Sequence, residues 1–120
     1  MTVSQVIERV DEVKPNAFSN YTKTIWLNEI EGMVQTEIFL LNPIDVVQYE
    51  YGKDKDRELL VSPPHDKLYP AYLEARIDFA NGEYSRYQNS VQLFNSFYGE
   101  FMRWYANIYR PADAYEEGLL

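Results

Sequence analysis

The chain has 120 residues, a net charge of −8, one histidine and no cysteine. This length fits a single domain with one hydrophobic core, and the ordinary apolar fraction argues against wholesale disorder. The lack of cysteine excludes disulfides, thiolate catalysis and iron–sulfur clusters, and the acidic balance opposes non-specific binding to phosphate backbones.

The first predicted helix covers about residues 2–14. Its apolar positions recur at helical spacing and are Val3, Val6, Ile7, Val10 and Val13. Thr2 or Ser4 can cap its start, and Pro15 enforces its stop. This polar N-terminal segment does not have the pattern of a signal peptide. No run of about 18 apolar residues follows anywhere, so the sequence predicts no membrane span.

The second predicted helix covers about residues 20–41, with Ser19 or Asn20 as its cap and Asn42-Pro43 as its end. Its buried stripe comprises Trp26, Ile30, Met33 and Val34, and it can extend to Ile38 and Leu41. A glycine inside a helix costs about 1 kcal/mol relative to alanine, and we attribute Gly32 to close packing against another helix. The acidic residues Glu29, Glu31 and Glu37 are expected on a solvated face.

A β-hairpin is predicted over about residues 46–61. The segments "DVVQYEY" and "LLV" are rich in residues that favour strands, and the charged turn "GKDKDRE" separates them. The predicted strands are Val46–Tyr51 and Glu58–Val61. An isolated two-stranded hairpin is marginal in water, so it should lie on the helices or pair with a neighbouring chain.

The third predicted helix covers about residues 66–81. Pro63-Pro64 breaks the chain before it, and Pro70 must fall in its first turn, where the missing amide hydrogen does no harm. Asn81-Gly82 is a good stop in the left-handed conformation, and a kinked helix that runs through these residues is the alternative. The predicted fold is therefore mainly α, with three or four helices and a small β-hairpin in one domain.

The fourth predicted helix is long, covers about residues 83–109 and ends before Pro111. A heptad seam without a miss defines its first stripe: Tyr84, Tyr87, Val91, Phe94, Tyr98, Phe101, Tyr105 and Ile108. A second stripe lies beside the first and consists of Leu93, Phe97, Phe101 and Trp104. Two adjacent stripes need a packing partner on each side. The tail, residues 111–120, is expected to be held by a contact, with a neighbouring subunit and a crystal contact as the two alternatives.

Aromatic residues and arginine occur together in the stretch "FNSFYGEFMRWYANIYRP", residues 94–111. Aromatic side chains that stack on bases are typical of nucleic-acid platforms. Here the rings fall on helical core positions, and residues 83–113 carry three acids and three bases in an acidic protein. The stretch is therefore predicted to be a packing surface rather than a site for nucleic acid.

No catalytic, cofactor-binding or metal-binding residue is predicted. The one histidine, His65, is expected to be solvated in a loop, and one histidine cannot supply the ligand set of a metal site. The segment "KDKDRE" lacks the spaced oxygens and the terminal glutamate of a calcium loop. The five glycines are isolated, so no phosphate-binding loop is present, and an enzyme is not expected.

Two long phrases carry a family resemblance: "DEVKPNAFSNYTKTIWLNEIEGMVQTEIF" and "LLVSPPHDKLYPAYLEARIDFANGEYSRYQNSVQLFNSFYGEFMRWYANIYRP". Over about residues 10–111 the chain resembles small proteins encoded in the structural modules of tailed phages and prophages. The order of its elements is similar to that of the head–tail connector, or head-completion, family. The resemblance implies a ring of about twelve copies beneath the portal, with DNA passing through its lumen and tail-completion proteins docking below.

The first hypothesis is thus a structural protein of virion assembly that binds itself, the portal and tail-completion proteins. It would be found in the virion and in the host cytoplasm during assembly, without sequence-specific DNA binding. The residues predicted to lie at protein interfaces are Tyr49, Tyr51, Phe97, Trp104, Tyr109 and Tyr115. The alternative is an acidic regulatory or inhibitory module that imitates DNA towards an enzyme, which predicts a dense, one-sided acidic surface.

Overall fold

The structure is a computed structural model that describes residues 1–109, and it is mainly helical, as predicted. The α-helices are α1 (Val3–Val13), α2 (Asn20–Met33), α3 (Tyr51–Asp54), α4 (Leu68–Ala80) and α5 (Tyr84–Tyr109). A π-helix, Val34–Ile38, continues α2, and short 3₁₀ turns lie at Pro43–Asp45 and His65–Lys67. The predicted tail, residues 111–120, lies outside the described residues.

The corner between α1 and α2 is fixed by caps and a buried cation. Thr2 caps α1 in a capping box with Gln5, and the Ser19 hydroxyl accepts the amide of Thr22 to cap α2. The Lys23 side chain is buried, and its Nζ donates to both carboxylate oxygens of Asp11 at 2.7 and 2.9 Å. A buried ammonium group is tolerated because each of these hydrogen bonds also pairs its charge.

Helices α4 and α5 form an antiparallel hairpin. Gly82 adopts φ +71, and the amides of Gly82 and Glu83 donate to the carbonyls of Phe79 and Asp78, which completes a Schellman stop. The predicted left-handed stop at Asn81-Gly82 is confirmed. Contacts then pair the two helices in reverse order, from Phe79 with Tyr87 to Tyr72 with Phe94.

The hydrophobic core lies where α1, α2 and α5 surround α4. Its fully buried members include Val6, Val10, Leu27, Ile30, Leu68, Leu73 and Ile77. The middle of the predicted heptad seam joins this core through Phe94, Tyr98 and Phe101, whereas Tyr84 and Ile108 at its ends are exposed. The seam therefore packs over its central turns only.

The predicted β-hairpin is not observed. Residues 46–61 contain no strand, and the only β-pairing in the described chain is a single bridge between Thr2 and Glu58. The backbone of Val47 exchanges two hydrogen bonds with the Gln35 carboxamide, and that of Tyr49 exchanges two with the Asn28 carboxamide. Side-chain amides of α2 and its π-helix thus satisfy the groups that a neighbouring strand would have paired.

Further along this connection, residues 51–54 form the single turn α3, which a hairpin would have needed as its tip. The amide of Leu59 donates to the carbonyl of Met1, and the amide of Val61 donates to the Tyr69 hydroxyl. The second predicted strand therefore pairs with Met1, which precedes α1, and with the Tyr69 side chain of α4 rather than with the first predicted strand.

The end of α2 departs from regular geometry. A Cβ added to Gly32 would meet nothing within 4 Å, so the expectation that close packing explains this glycine is wrong. The π-helix that follows ends at Ile38. Two residues later, Leu40 has φ +60, a left-handed conformation that costs a residue with a Cβ about 1–2 kcal/mol. Leu40 is 78% exposed, so no burial of its side chain offsets that cost.

Candidate protein-interaction surfaces

Glu31 is the polar centre of the molecule. Its side chain is fully buried, against the expectation of a solvated face. Oε1 accepts the Tyr69 hydroxyl at 2.5 Å, and Oε2 accepts the Tyr49 hydroxyl at 2.7 Å and the Leu60 amide at 2.9 Å. A buried carboxylate is costly unless its lone pairs are satisfied, and these three donors satisfy them. Glu31 therefore ties the 46–61 connection to α2 and α4.

The other α2 glutamate and the π-helix glutamate follow the same arrangement. Glu29 accepts the Tyr72 hydroxyl at 2.7 Å, and Glu37 accepts the Tyr98 hydroxyl at 2.8 Å. Burial, together with the hydrogen bond to a glutamate, raises the pKa of Tyr49, Tyr69, Tyr72 and Tyr98 above the ordinary value for tyrosine. These hydroxyls stay protonated as donors at neutral pH, so the pairs stabilise the fold.

Two of the predicted interface tyrosines belong to the connection between α2 and α4. Tyr49 is 5% exposed and donates to Glu31, so the structure places it in the core rather than on a surface. Tyr51 is half-buried at the first position of α3 and packs against the core. The predicted hairpin would have exposed them; the docking of residues 46–50 on α2 turns Tyr49 inward.

Trp104 lies beside an aromatic depression of about 170 Å³ at the C-terminal half of α5. Its lining consists of Phe39, Leu60, Ser62, Pro63, His65, Phe101, Trp104 and Tyr105. The His65 ring is 4.8 Å from the Trp104 ring and 5.5 Å from the Phe101 ring. His65 is thus a half-buried stacking residue, and the expectation of a fully solvated histidine is corrected.

Phe97 lies in a groove on the other side of α5, about 220 Å³ in volume, that we call the α4–α5 groove. Its lining consists of Arg9, Lys67, Pro70, Ala71, Glu74, Leu93 and Phe97. Leu93 is 51% exposed there, and Phe97 is half-buried. Burial, opposed by the nearby Lys14 charge, raises the pKa of Glu74. The second α5 stripe is therefore only partly covered by the chain itself.

A third surface is the exit loop, which we define as residues 39–45 after the π-helix. Leu40, Leu41 and Ile44 are exposed there, Ile44 to 86%. The acidic residues Glu37 and Asp45 flank these side chains. No interface role was predicted for the exit loop, although "FLLNPID" places consecutive apolar residues beside a helix stop and is a signal for such a surface.

The remaining predicted interface residues are not described as surfaces. Tyr109 is the last residue of α5, and its side chain, like all of Tyr115, lies outside the described residues. Within residues 1–109, no three side chains of histidine, aspartate or glutamate come together in a way that could hold a metal ion. None of the helices in this range combines the length and apolar character needed to cross a bilayer.

No protein-family model matches this chain, and comparisons with curated proteins and with solved structures found no match.

Proposed function

We propose that this chain is a structural assembly protein of a tailed phage or prophage, acting as a head–tail connector or adaptor in a ring beneath the portal. The observation that supports it most is the presence of separate apolar surfaces on two sides of α5, the α4–α5 groove and the exit loop. The resemblance of residues 10–111 to small phage structural proteins supports the same role.

Different surfaces are what a ring needs. A copy in a closed ring contacts one neighbour through one patch and the other neighbour through a second patch, so the two patches must differ. The groove lies among α1, α4 and α5, whereas the exit loop follows the π-helix. Exposed apolar side chains gathered in one place are typical of protein interaction sites.

The acidic balance fits a ring whose lumen is crossed by DNA. Negative charge repels phosphates, so DNA can move past the protein without being retained. This role needs no sequence-specific contact to DNA, no cofactor and no catalytic group. Its partners are further copies of the chain, the portal and tail-completion proteins.

The alternative of an acidic inhibitory module has less support. It requires carboxylates gathered on one exposed face, yet Glu31 and Asp78 are fully buried. Asp78 accepts Lys14 Nζ at 2.7 Å and the Ser90 hydroxyl at 2.8 Å, and Asp11 pairs with Lys23. Glu31 and Asp78 therefore serve the interior of the fold and do not contribute to such a face.

The experiment is a binding assay with the portal protein encoded in the same structural module. We expect this chain to co-sediment with assembled portal, with many copies per portal ring. A variant with Ile44→Asp and Leu93→Asp, which places charge on both apolar surfaces, should lose binding or ring formation while keeping its helical circular dichroism. A chain that never binds portal at about 100 μM, well above the dissociation constants of stable assemblies, would contradict the proposed function.

A further inference from the structure

The exit loop and the end of α2 that leads into it keep features that weaken the folded chain. Leu40 has φ +60, a backbone conformation that favours glycine, and Gly32 interrupts α2 without a packing reason. Between them the helix widens into a π-helix, a distortion found frequently at functional sites. Strain of this kind persists where function requires the geometry, and here it presents Leu40 and Ile44 to solvent.

The α4–α5 groove offers a matching surface of the opposite charge. Neither Arg9 nor Lys67 makes an ion pair with any other residue in the described part of the chain. With Glu74 the groove carries a net charge of about +1 around the apolar Leu93 and Phe97, in a chain whose net charge is −8. An apolar groove with unpaired cations suits an apolar segment flanked by acids.

The two surfaces cannot meet within one copy. Glu37 and Phe39 pack on the side of α5 that carries Tyr98, Phe101 and Tyr105. Phe97, one residue from Tyr98 and therefore about 100° around the helix, faces α4 and the groove instead. A contact between the exit loop and the groove must therefore join two copies.

We propose that the exit loop of one copy seats in the α4–α5 groove of a second copy. Leu40 and Ile44 would lie against Leu93 and Phe97, and the Asp45 carboxylate would lie near Lys67. Charged residues placed in this way steer the encounter and fix its register. The contact is head-to-tail, so it can repeat from copy to copy and close into a ring. This inference deepens the proposed function and rests on it.

Disulfide trapping tests the contact cleanly, because the chain has no cysteine of its own. An Ile44→Cys copy and a Leu93→Cys copy are mixed in equal amounts and mildly oxidised. A disulfide needs Cα atoms closer than about 7 Å, so we expect the mixed dimer at about ten times the amount of either like dimer, against about twice for random encounters.

A matched control replaces Leu93→Cys with Tyr21→Cys, since Tyr21 is also well exposed but lies at the start of α2 outside the groove. The proposal is overturned if the Ile44–Leu93 pair forms no more mixed dimer than the Ile44–Tyr21 pair. Circular dichroism of each variant shows that it has folded.

Charge exchange provides the second arm. Lys67→Glu in the Leu93→Cys copy should lower the yield of mixed dimer severalfold, and Asp45→Lys in the Ile44→Cys copy should restore it. If Asp45→Lys does not restore the yield of mixed dimer, the proposed ion pair between Asp45 and Lys67 is contradicted. If the chain binds portal but shows no preference for the mixed dimer, the proposed contact is contradicted and the assembly role is retained. If the mixed dimer is preferred but the chain does not bind portal, the contact between copies is supported and the proposed function at the portal is contradicted.

Discussion

The centre of the molecule around Glu31 and the segment from Gly32 to Ile44 are adjacent in sequence and opposite in design. At the centre, three donors satisfy one buried carboxylate, and both donor tyrosines, Tyr49 and Tyr69, are buried. The neighbouring segment contains an unneeded helical glycine, a π-helix, a left-handed leucine and exposed aliphatic side chains. Folding alone explains the centre, and it does not explain the segment.

This difference predicts changes of opposite sign in the free energy of unfolding for substitutions in the two regions. Changes at the centre should lower the free energy of unfolding, because every group there is already satisfied. Changes that regularise the neighbouring segment should raise it, because the native residues are unfavourable for an isolated chain.

The largest loss is expected for Phe101→Ala. Phe101 is 4% exposed and contacts the rings of Phe39, His65 and Trp104. Removing a buried phenylalanine should lower the free energy of unfolding by about 3–5 kcal/mol, measured by chemical denaturation. Met102→Ala, at the exposed neighbouring position, is the control and should change it by about 0.5 kcal/mol. A loss under about 1 kcal/mol for Phe101→Ala would contradict the packing of α5.

Tyr69→Phe should cause the next largest loss. The hydroxyl donates to Glu31 and accepts the Val61 amide, so its removal leaves two buried polar groups short of a partner. We expect a loss of about 2–3 kcal/mol in the free energy of unfolding. The control is Tyr21→Phe, since the Tyr21 ring is 69% exposed and should respond within about 0.5 kcal/mol. If Tyr69→Phe and Tyr21→Phe change the free energy of unfolding equally, the hydrogen bonds around Glu31 do not stabilise the fold as expected.

Leu40 and Gly82, which both have a left-handed backbone, allow a paired test. Gly82→Ala forces a Cβ into φ +71 and should lower the free energy of unfolding by about 1 kcal/mol. Leu40→Gly relieves the same strain at φ +60 and should raise it by about 0.5 kcal/mol, the relief being partly offset by the greater chain entropy of glycine. If both variants lose stability, the Leu40 side chain contributes to the fold. That result would contradict the claim that the segment from Gly32 to Ile44 is unfavourable for an isolated chain.

Gly32→Ala should also stabilise the chain. Space is open around the added methyl group, and alanine favours a helix over glycine, so a gain of about 0.5–1 kcal/mol is expected. Thermal unfolding followed by circular dichroism measures it. A loss of stability would show that the glycine serves the fold after all.

The smallest effect is a pH dependence at Glu74. Burial raises the pKa of Glu74 above its ordinary value of 4.5, so in the window above that value the folded state binds more protons than the unfolded state. Stability contributed by this group is therefore present at low pH and lost as the pH rises through the folded pKa. Glu74→Gln should be more stable than the parent chain at pH 7 and equal to it below about pH 4. A difference that does not change with pH would contradict this origin.

The helices could be predicted because their signals are local. Thr2, Ser19, Pro70 and Asn81-Gly82 mark helix ends through caps and fixed backbone angles, which depend on a few neighbouring residues. The seam from Tyr84 to Ile108 predicts a long helix for the same reason. The predicted range of 83–109 lies close to the observed Tyr84–Tyr109.

The connection between α2 and α4 could not be predicted in this way. The strand propensity of "DVVQYEY" indicates only that an extended backbone is favourable, and it does not indicate which groups form hydrogen bonds with that backbone. The partners are the carboxamides of Asn28 and Gln35, 12 to 21 residues away. The same holds for the candidate surfaces: the sequence marked Phe97 and Trp104, but the burial of Tyr49 and the exposure of Leu40 depend on that connection.

The sequence by itself therefore determined the helical class, the helix starts at Thr2 and Ser19, the stop at Asn81-Gly82 and the excess of apolar surface on α5, since periodicity and capping act over a few residues. It did not determine the end of α2, which was predicted at about residue 41 and lies at Met33. Only the tertiary structure decided which glutamates are buried, how residues 46–61 are held and which apolar side chains remain in solvent. Those outcomes arise from contacts between residues distant in the chain, such as Glu31 with Tyr69, and no local pattern encodes the distance between them.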